Sequence, residues 1–183
     1  MPTKKFTRNK PFLLFSISLG VALFIIGAYF LLYERTILSF SRTPEVAVTT
    51  IGQKSKPVKV EIGDLNIDLP ISESRIVNRI WEISKNGASH LNTSASPGEE
   101  GNIVIYGHNR KVVFGSLPYA RVGTKIKLTT EDGKVHDYEV IKKDTVKPNN
   151  LMYVLPASEE ILTIYTCTGF LDSMRAVLVA KPL

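Results

Sequence analysis

The amino-acid sequence predicts an all-β domain, a closed barrel or a sandwich, carried behind one N-terminal membrane helix. Three observations support this. From about Lys59 onward, eight short runs are rich in β-branched and aromatic residues. Turn formers stand between them: Gly63-Asp64, Asn86-Gly87, Pro97-Gly98, Asp132-Gly133 and Pro148-Asn149-Asn150. And from Pro11 to Tyr33 no residue is charged.

The elements follow in order. Residues 1–10 form a basic segment with Lys4, Lys5, Arg8 and Lys10 and no acidic residue. The net charge of the chain is +6, and without those four it is about +2, with both signs interspersed. The basic excess is therefore a flank and not a nucleic-acid-binding face. It flanks residues 11–33, whose helical length of about 35 Å spans a hydrocarbon core of about 30 Å. The run is too long for the apolar part of a cleavable signal peptide, and no small-residue cleavage site follows it. Glu34 and Arg35 nearly cancel, so the positive-inside rule places the N-terminus in the cytoplasm and everything after Tyr33 outside. The expected location is the cell membrane, crossed once.

Residues 34–57 read as an extracellular stalk, polar and interrupted by Pro44, Gly52 and Pro57, in which Thr49 to Ile51 could pair as an edge strand. Residues 58–183 form the β domain. Its runs are VKVEI, LNIDLPI, IVNRIWEI, NIVIYG, TKIKLTT, VHDYEVIKK, ILTIYT and MRAVLVA. Thr124–Val140, with Glu131-Asp132-Gly133 between two alternating runs, is the clearest hairpin. Residues 112–120 have the one mixed spacing suited to a helical turn.

Cys167 is the only cysteine, so in an exported domain it is a free thiol. Such a thiol is either a small buried hydrophobe or a nucleophile. Its place where the apolar run Ile161 to Tyr165 meets Thr168-Gly169 suits a side chain held at the rim of a cleft, and residue type alone leaves both readings open. A nucleophilic thiol needs a histidine partner. His136 lies in an alternating strand beside Asp137, which suits a solvated face. His90 lies in Ser89-His90-Leu91-Asn92, which reads as a surface loop. His108 ends the run Asn102 to Gly107 and has the same setting as Cys167. Acyl transfer also needs a donor for the oxyanion. Arg175 opens the apolar terminal strand and can present a charged fork, although an exposed arginine, or one ion-paired with Asp172, is the simpler reading. No cysteine or histidine cluster has metal-ligand spacing, and no glycine-rich phosphate loop is present. Asn92-Thr93-Ser94 fits the glycosylation triplet, a pattern common by chance.

With these residues placed, the chain resembles the sortase family of Gram-positive-type cell surfaces. The family's Thr-Leu-x-Thr-Cys motif is similar to Thr163-Ile164-Tyr165-Thr166-Cys167, with Ile for Leu. Its strand-ending Gly-His followed by a polar residue is similar to Gly107-His108-Asn109, and its arginine on the next strand to Arg175. Phe114-Gly115-Ser116-Leu117, Val122-Gly123-Thr124, Val146-Lys147-Pro148 and the stretch from Gly87 to Glu99 add to the resemblance, as do anchor and stalk. It implies a closed eight-stranded β-barrel with short helices, with His108, Cys167 and Arg175 catalytic at one edge of the sheet; no cofactor is expected, and nothing in the sequence gives reason to place a calcium site. It implies a cysteine transpeptidase that cuts a Leu-Pro-x-Thr-Gly-type sorting signal of exported proteins through an acyl-thioester. The acyl group then passes to an amine, such as a peptidoglycan cross-bridge or a lysine. The neutral Thr168 and the short cysteine-to-arginine loop select no subclass. Two other classes fit the residues alone: another cell-wall cysteine hydrolase or transpeptidase, and a tethered β domain that only binds.

Overall fold

The computed structural model describes residues 10–34, 38–39, 55–77 and 80–183. The chain divides into two units, one ending at Thr36 and one running from Ile37 to Leu183. In the first, helix α1 covers Lys10–Glu34. Ile17, Leu19, Val21, Leu23, Phe24, Ile25 and Ile26 on it are exposed, so apolar side chains project in several directions from this part of the helix. Among the described residues no helix is long and apolar enough to cross a membrane.

In the second unit the strands are β1 (Leu38–Ser39), β2 (Pro57–Ile62), β3 (Ile67–Ser74), β4 (Ile76–Val77), β5 (Ile80–Trp81), β6 (Ala88–Leu91), β7 (Asn102–Gly107), β8 (Lys125–Thr130), β9 (Val135–Val146), β10 (Ile161–Thr168) and β11 (Met174–Pro182). Eight of them close a barrel in the order β10-β11-β9-β8-β2-β3-β6-β7, the architecture that the family resemblance implies. Two pairs are parallel, β3 with β6 and β7 with β10. The rest are antiparallel, and β8–β9 is the hairpin expected over Thr124–Val140. Its turn is held by the Asp132 carboxylate, which accepts from the Thr130 hydroxyl at 2.6 Å.

Alternation along the strands sorts the apolar residues into two layers. Inside the barrel lie Val60, Ile62, Leu69, Ile103, Ile105, Ile126, Leu128, Leu162, Ile164 and Leu178. The segment between β7 and β8 adds Phe114 and Leu117 to this core, and the expected helical turn is a 3-10 turn at Leu117–Tyr119. A second cluster uses the opposite face of β7, β10 and β11: Val104, Tyr106, Tyr165 and Val177, with Trp81, Leu91, Val146 and Tyr153 packed over them. Trp81 meets Tyr106 edge-on, centroids 4.7 Å apart, and the Tyr106 hydroxyl donates to Glu82 O at 2.7 Å.

Two expectations need correction. The run 76–83 is not a barrel strand. It holds the two-residue strands β4 and β5, which with β1 form a separate three-stranded sheet. The barrel strand in its place is β6, whose sequence Ala88-Ser89-His90-Leu91 reads as loop. Its polar side chains are buried because each has a partner. Ser89 Oγ accepts from Ser84 N at 2.8 Å. His90 stands opposite Glu73 in the β3–β6 register, its Nδ1 2.5 Å from Glu73 Oε1. His90 is thus not a surface-loop residue but is 2% exposed. The edge strand considered at Thr49 to Ile51 lies outside the described residues.

Candidate active site

The site is set by the registers of three adjacent strands. In the parallel pair, Thr166 of β10 stands opposite Gly107 of β7. One step further, Cys167 follows Thr166 within β10, and His108 follows Gly107 just past the end of β7. In the antiparallel pair, Cys167 stands directly opposite Arg175 of β11, and directly opposed residues present their side chains on the same face. Cys167 is therefore level with Arg175 on β11, and His108 follows the β7 residue paired with its predecessor.

Local packing fixes each strand end. Gly107 is required by close approach: a Cβ there would lie 2.9 Å from Phe114 Cδ2 and 3.1 Å from Val113 Cγ1. The chain after His108 curls back, with Val113 N and Gly115 N donating to Arg110 O and Phe114 N donating to His108 O. This curl brings Phe114 into the core and leaves His108 half-buried at the rim. On β10 the buried Thr166 hydroxyl donates to Gly107 O at 3.0 Å, tying the two strand ends together one residue before the thiol and the imidazole.

Arg175 is 5% exposed. Its Nη1 donates to Asp172 O at 2.7 Å and to Met174 O at 2.9 Å. These bonds hold one edge of the guanidinium against the β10–β11 loop. Its Nε is buried without a hydrogen-bond partner among the described residues. A buried charged donor left unsatisfied is costly, and an incoming anion would relieve that cost. The ion pair with the Asp172 side chain, one simple reading of this arginine, is absent among the described residues; the backbone oxygen of Asp172 is bonded instead. The loop is itself strained. Leu171 and Asp172 are left-handed without being glycine, with φ of 52° and 58°, each costing about 1–3 kcal/mol.

Electrostatics set the resting protonation state. Burial pushes the Cys167 thiol up to about 11; Arg175 pulls it down and Asp172 pushes it up. Burial and then the positive charge of Arg110 hold His108 below 6.5, partly opposed by Asp172. Near neutral pH the thiol is therefore protonated and the imidazole neutral.

The three residues named from sequence thus fall at or just past matching ends of the adjacent strands β7, β10 and β11. The other two histidines are not part of it: His90 is the buried partner of Glu73, and His136 is a half-exposed residue of β9. Sequence reasoning did not single out Thr166 or the backbone of Asp172. For Thr166 a signal was available, since a threonine beside a strand-end cysteine can cross to the neighbouring chain. Nothing in the sequence announces a backbone carbonyl.

Comparison with known proteins bears on the whole domain. The Sortase domain family matches residues 60–183. Sortase D of Bacillus subtilis (strain 168) is 30% identical over 112 residues, covering 61% of this chain and 54% of that protein. The chain thus matches about half the length of that curated relative. Among solved structures, a Clostridium perfringens sortase D5 transpeptidase superposes with a TM-score of 0.60 at 25% identity, covering 71% of this chain and 81% of the other. Sortase C-1 from Actinomyces oris superposes with the same score at 22% identity, covering 70% and 75%, and shows likeness of fold alone. With the closed barrel and the match over residues 60–183, this chain belongs to the sortase family.

Proposed function

We propose that this protein is a membrane-anchored cysteine transpeptidase acting on sorting signals of the Leu-Pro-x-Thr-Gly type. The observation that carries the reading is the double register at Cys167, level with Arg175 on one side and one step past the Thr166–Gly107 pair on the other. His108 takes the thiol proton, and the sulfur attacks the carbonyl carbon of the scissile Thr-Gly bond. Arg175 Nε donates to the oxyanion that forms. His108 returns its proton to the departing Gly amine, and the C–N bond breaks to leave an acyl-thioester on Cys167. An incoming amine, of a peptidoglycan cross-bridge or a lysine, loses a proton to His108 as it attacks. The thioester collapses, and that proton restores the thiol.

In this proposal residues 1–10 stay in the cytoplasm, 11–33 cross the membrane, 34–57 form the stalk and 58–183 work outside the cell. Substrates anchored in the same membrane then meet the enzyme at raised effective concentration. The test is mass spectrometry of the full chain in detergent micelles, incubated with a Leu-Pro-Ala-Thr-Gly peptide. An acyl adduct on Cys167 that an added amine removes supports the reading. Cleavage persisting in Cys167→Ala would refute it.

A further inference from the structure

His90 is the one buried histidine among the described residues, and the acyl-transfer chemistry does not use it. Both of its ring nitrogens face acceptors. Nε2 lies 3.0 Å from Ala95 O and 3.2 Å from Ser94 Oγ. A carbonyl oxygen cannot donate. The Ser94 hydroxyl already gives its proton to Leu91 O at 2.7 Å, and its oxygen accepts from Val104 N at 3.1 Å. Nε2 therefore carries a proton. On the other side Nδ1 lies 2.5 Å from Glu73 Oε1, and an ionised carboxylate only accepts. The network is fully paired only when both ring nitrogens are protonated.

The groups around the pair favour that state. Partial burial opposes ionisation of Glu73. Its hydrogen bond to His90, the charge of the ring and the charge of Lys56 outweigh that and hold the carboxyl below its ordinary 4.5. Lys56, just before β2, stands 3.7 Å from Glu73 Oε2. From β7 the Tyr106 phenol feels the same carboxylate, and burial keeps the phenol neutral. Taking one proton off the ring sets a nitrogen lone pair against either the carboxylate or the Ala95 carbonyl. The ring is 2% exposed, so water does not make up the loss.

The elements joined here are separate in the chain. Glu73 belongs to β3 and His90 to β6, while Ser94 and Ala95 open the loop that leads into β7. We infer that His90 and Glu73 form a pH-sensitive latch: the doubly protonated ring fastens Ser94 and Ala95 to β3 and β7, and loss of one ring proton at alkaline pH releases them. A ring that gains acceptors on folding contributes stability at low pH that is lost as the pH rises. On the acid side the limit is protonation of Glu73, which falls below 4.5. The latch is independent of the acyl-transfer reading, and its test needs no turnover.

The test uses the full chain in detergent micelles with 15N-labelled histidine, the His90 signals being identified by their loss in His90→Gln. At about pH 6 both ring nitrogens of His90 should carry protons. Raising the pH to about 10 should remove one of them. With the same midpoint, the hydrogen-exchange protection of the Ala95 and Val104 amides, corrected for the intrinsic rate, should fall about 10-fold. Glu73→Gln separates the latch from general alkaline loosening. A glutamine amide can donate to Nδ1 while Nε2 keeps its proton, so a singly protonated ring is fully paired. Protection in that variant should change less than about 2-fold over the same range. A His90 ring with a single proton at about pH 6 would overturn the latch. So would protection that survives loss of the proton, or an equal loss of protection in Glu73→Gln.

Discussion

The two faces of β10 carry different kinds of side chain. Leu162 and Ile164 point into the barrel among aliphatic neighbours, fully buried, with no polar atom to satisfy. Tyr165 and Cys167 point the other way, into a cluster that also holds Tyr106, Tyr153 and the edge of Arg175. There burial raises the phenol of Tyr165 to about 12 and the thiol to about 11. It also leaves polar atoms of Arg175 and Asn102 without partners among the described residues. One strand thus divides its work by alternation. The inner face stabilises, at about 1.5–3 kcal/mol for each fully buried aliphatic side chain. The outer face accepts desolvated and strained groups because the inner face holds the strands in register.

If that division is right, substitutions on the two faces should separate activity from stability. The largest effect should come from Arg175→Lys, which keeps the charge but loses the fork, and should cost about 100- to 1000-fold in kcat. Single-turnover acylation kinetics would measure it, with little change expected in the thermal midpoint; turnover within a few-fold of wild type would remove Arg175 from the chemistry. Next, Leu162→Ala should lose about 2–5 kcal/mol of stability in denaturant unfolding while the surviving folded protein keeps its kcat. A catalytic defect as large as the stability defect would erase the distinction between the faces.

A smaller effect concerns the charges around the thiol. The alkylation rate of Cys167 should climb with pH toward a midpoint near 11. Asp172→Asn should lower that midpoint and Arg175→Gln should raise it, because Asp172 disfavours the thiolate and Arg175 favours it. Acylation by a thiolate beside a protonated imidazole should fall on the acid side below 6.5, following His108, and stay level through neutral pH. A change of the wrong sign in either variant would refute the assignment of those charges. The smallest effect should be that of Leu171→Gly. Glycine adopts the left-handed conformation freely, so this exposed position should gain up to about 1 kcal/mol in thermal unfolding. A loss would mean that the loop is not strained as its backbone angles indicate.

Much of the domain was legible because strands announce themselves by composition. Seven of the eight barrel strands coincide with apolar, β-branched runs, and the hairpin around Gly133 is where its turn residues place it. The eighth was missed for a physical reason. Ser89 and His90 look like loop residues, and only Ser84 N and Glu73, brought up by the fold, let them be buried. The opposite error at 76–83 has the matching cause. Ile76 and Trp81 are strand-like residues, but they pack over the outside of the barrel in the short β4 and β5.

For the site, residue chemistry and context left Cys167 open between core and nucleophile and favoured an exposed or ion-paired Arg175; it was the family resemblance that selected His108, Cys167 and Arg175 as candidates. The sequence by itself therefore determined most of the strand pattern, the charge-free run 11–33 and three candidate side chains. Only the tertiary structure decided that their strand ends come level, through registers joining residues 59 and 8 positions apart. It also decided that the thiol rests protonated and that one edge of Arg175 is tied to backbone carbonyls. Burial and hydrogen-bond partners are properties of the packed chain, because they depend on which distant segments close over a residue, and local sequence does not encode them.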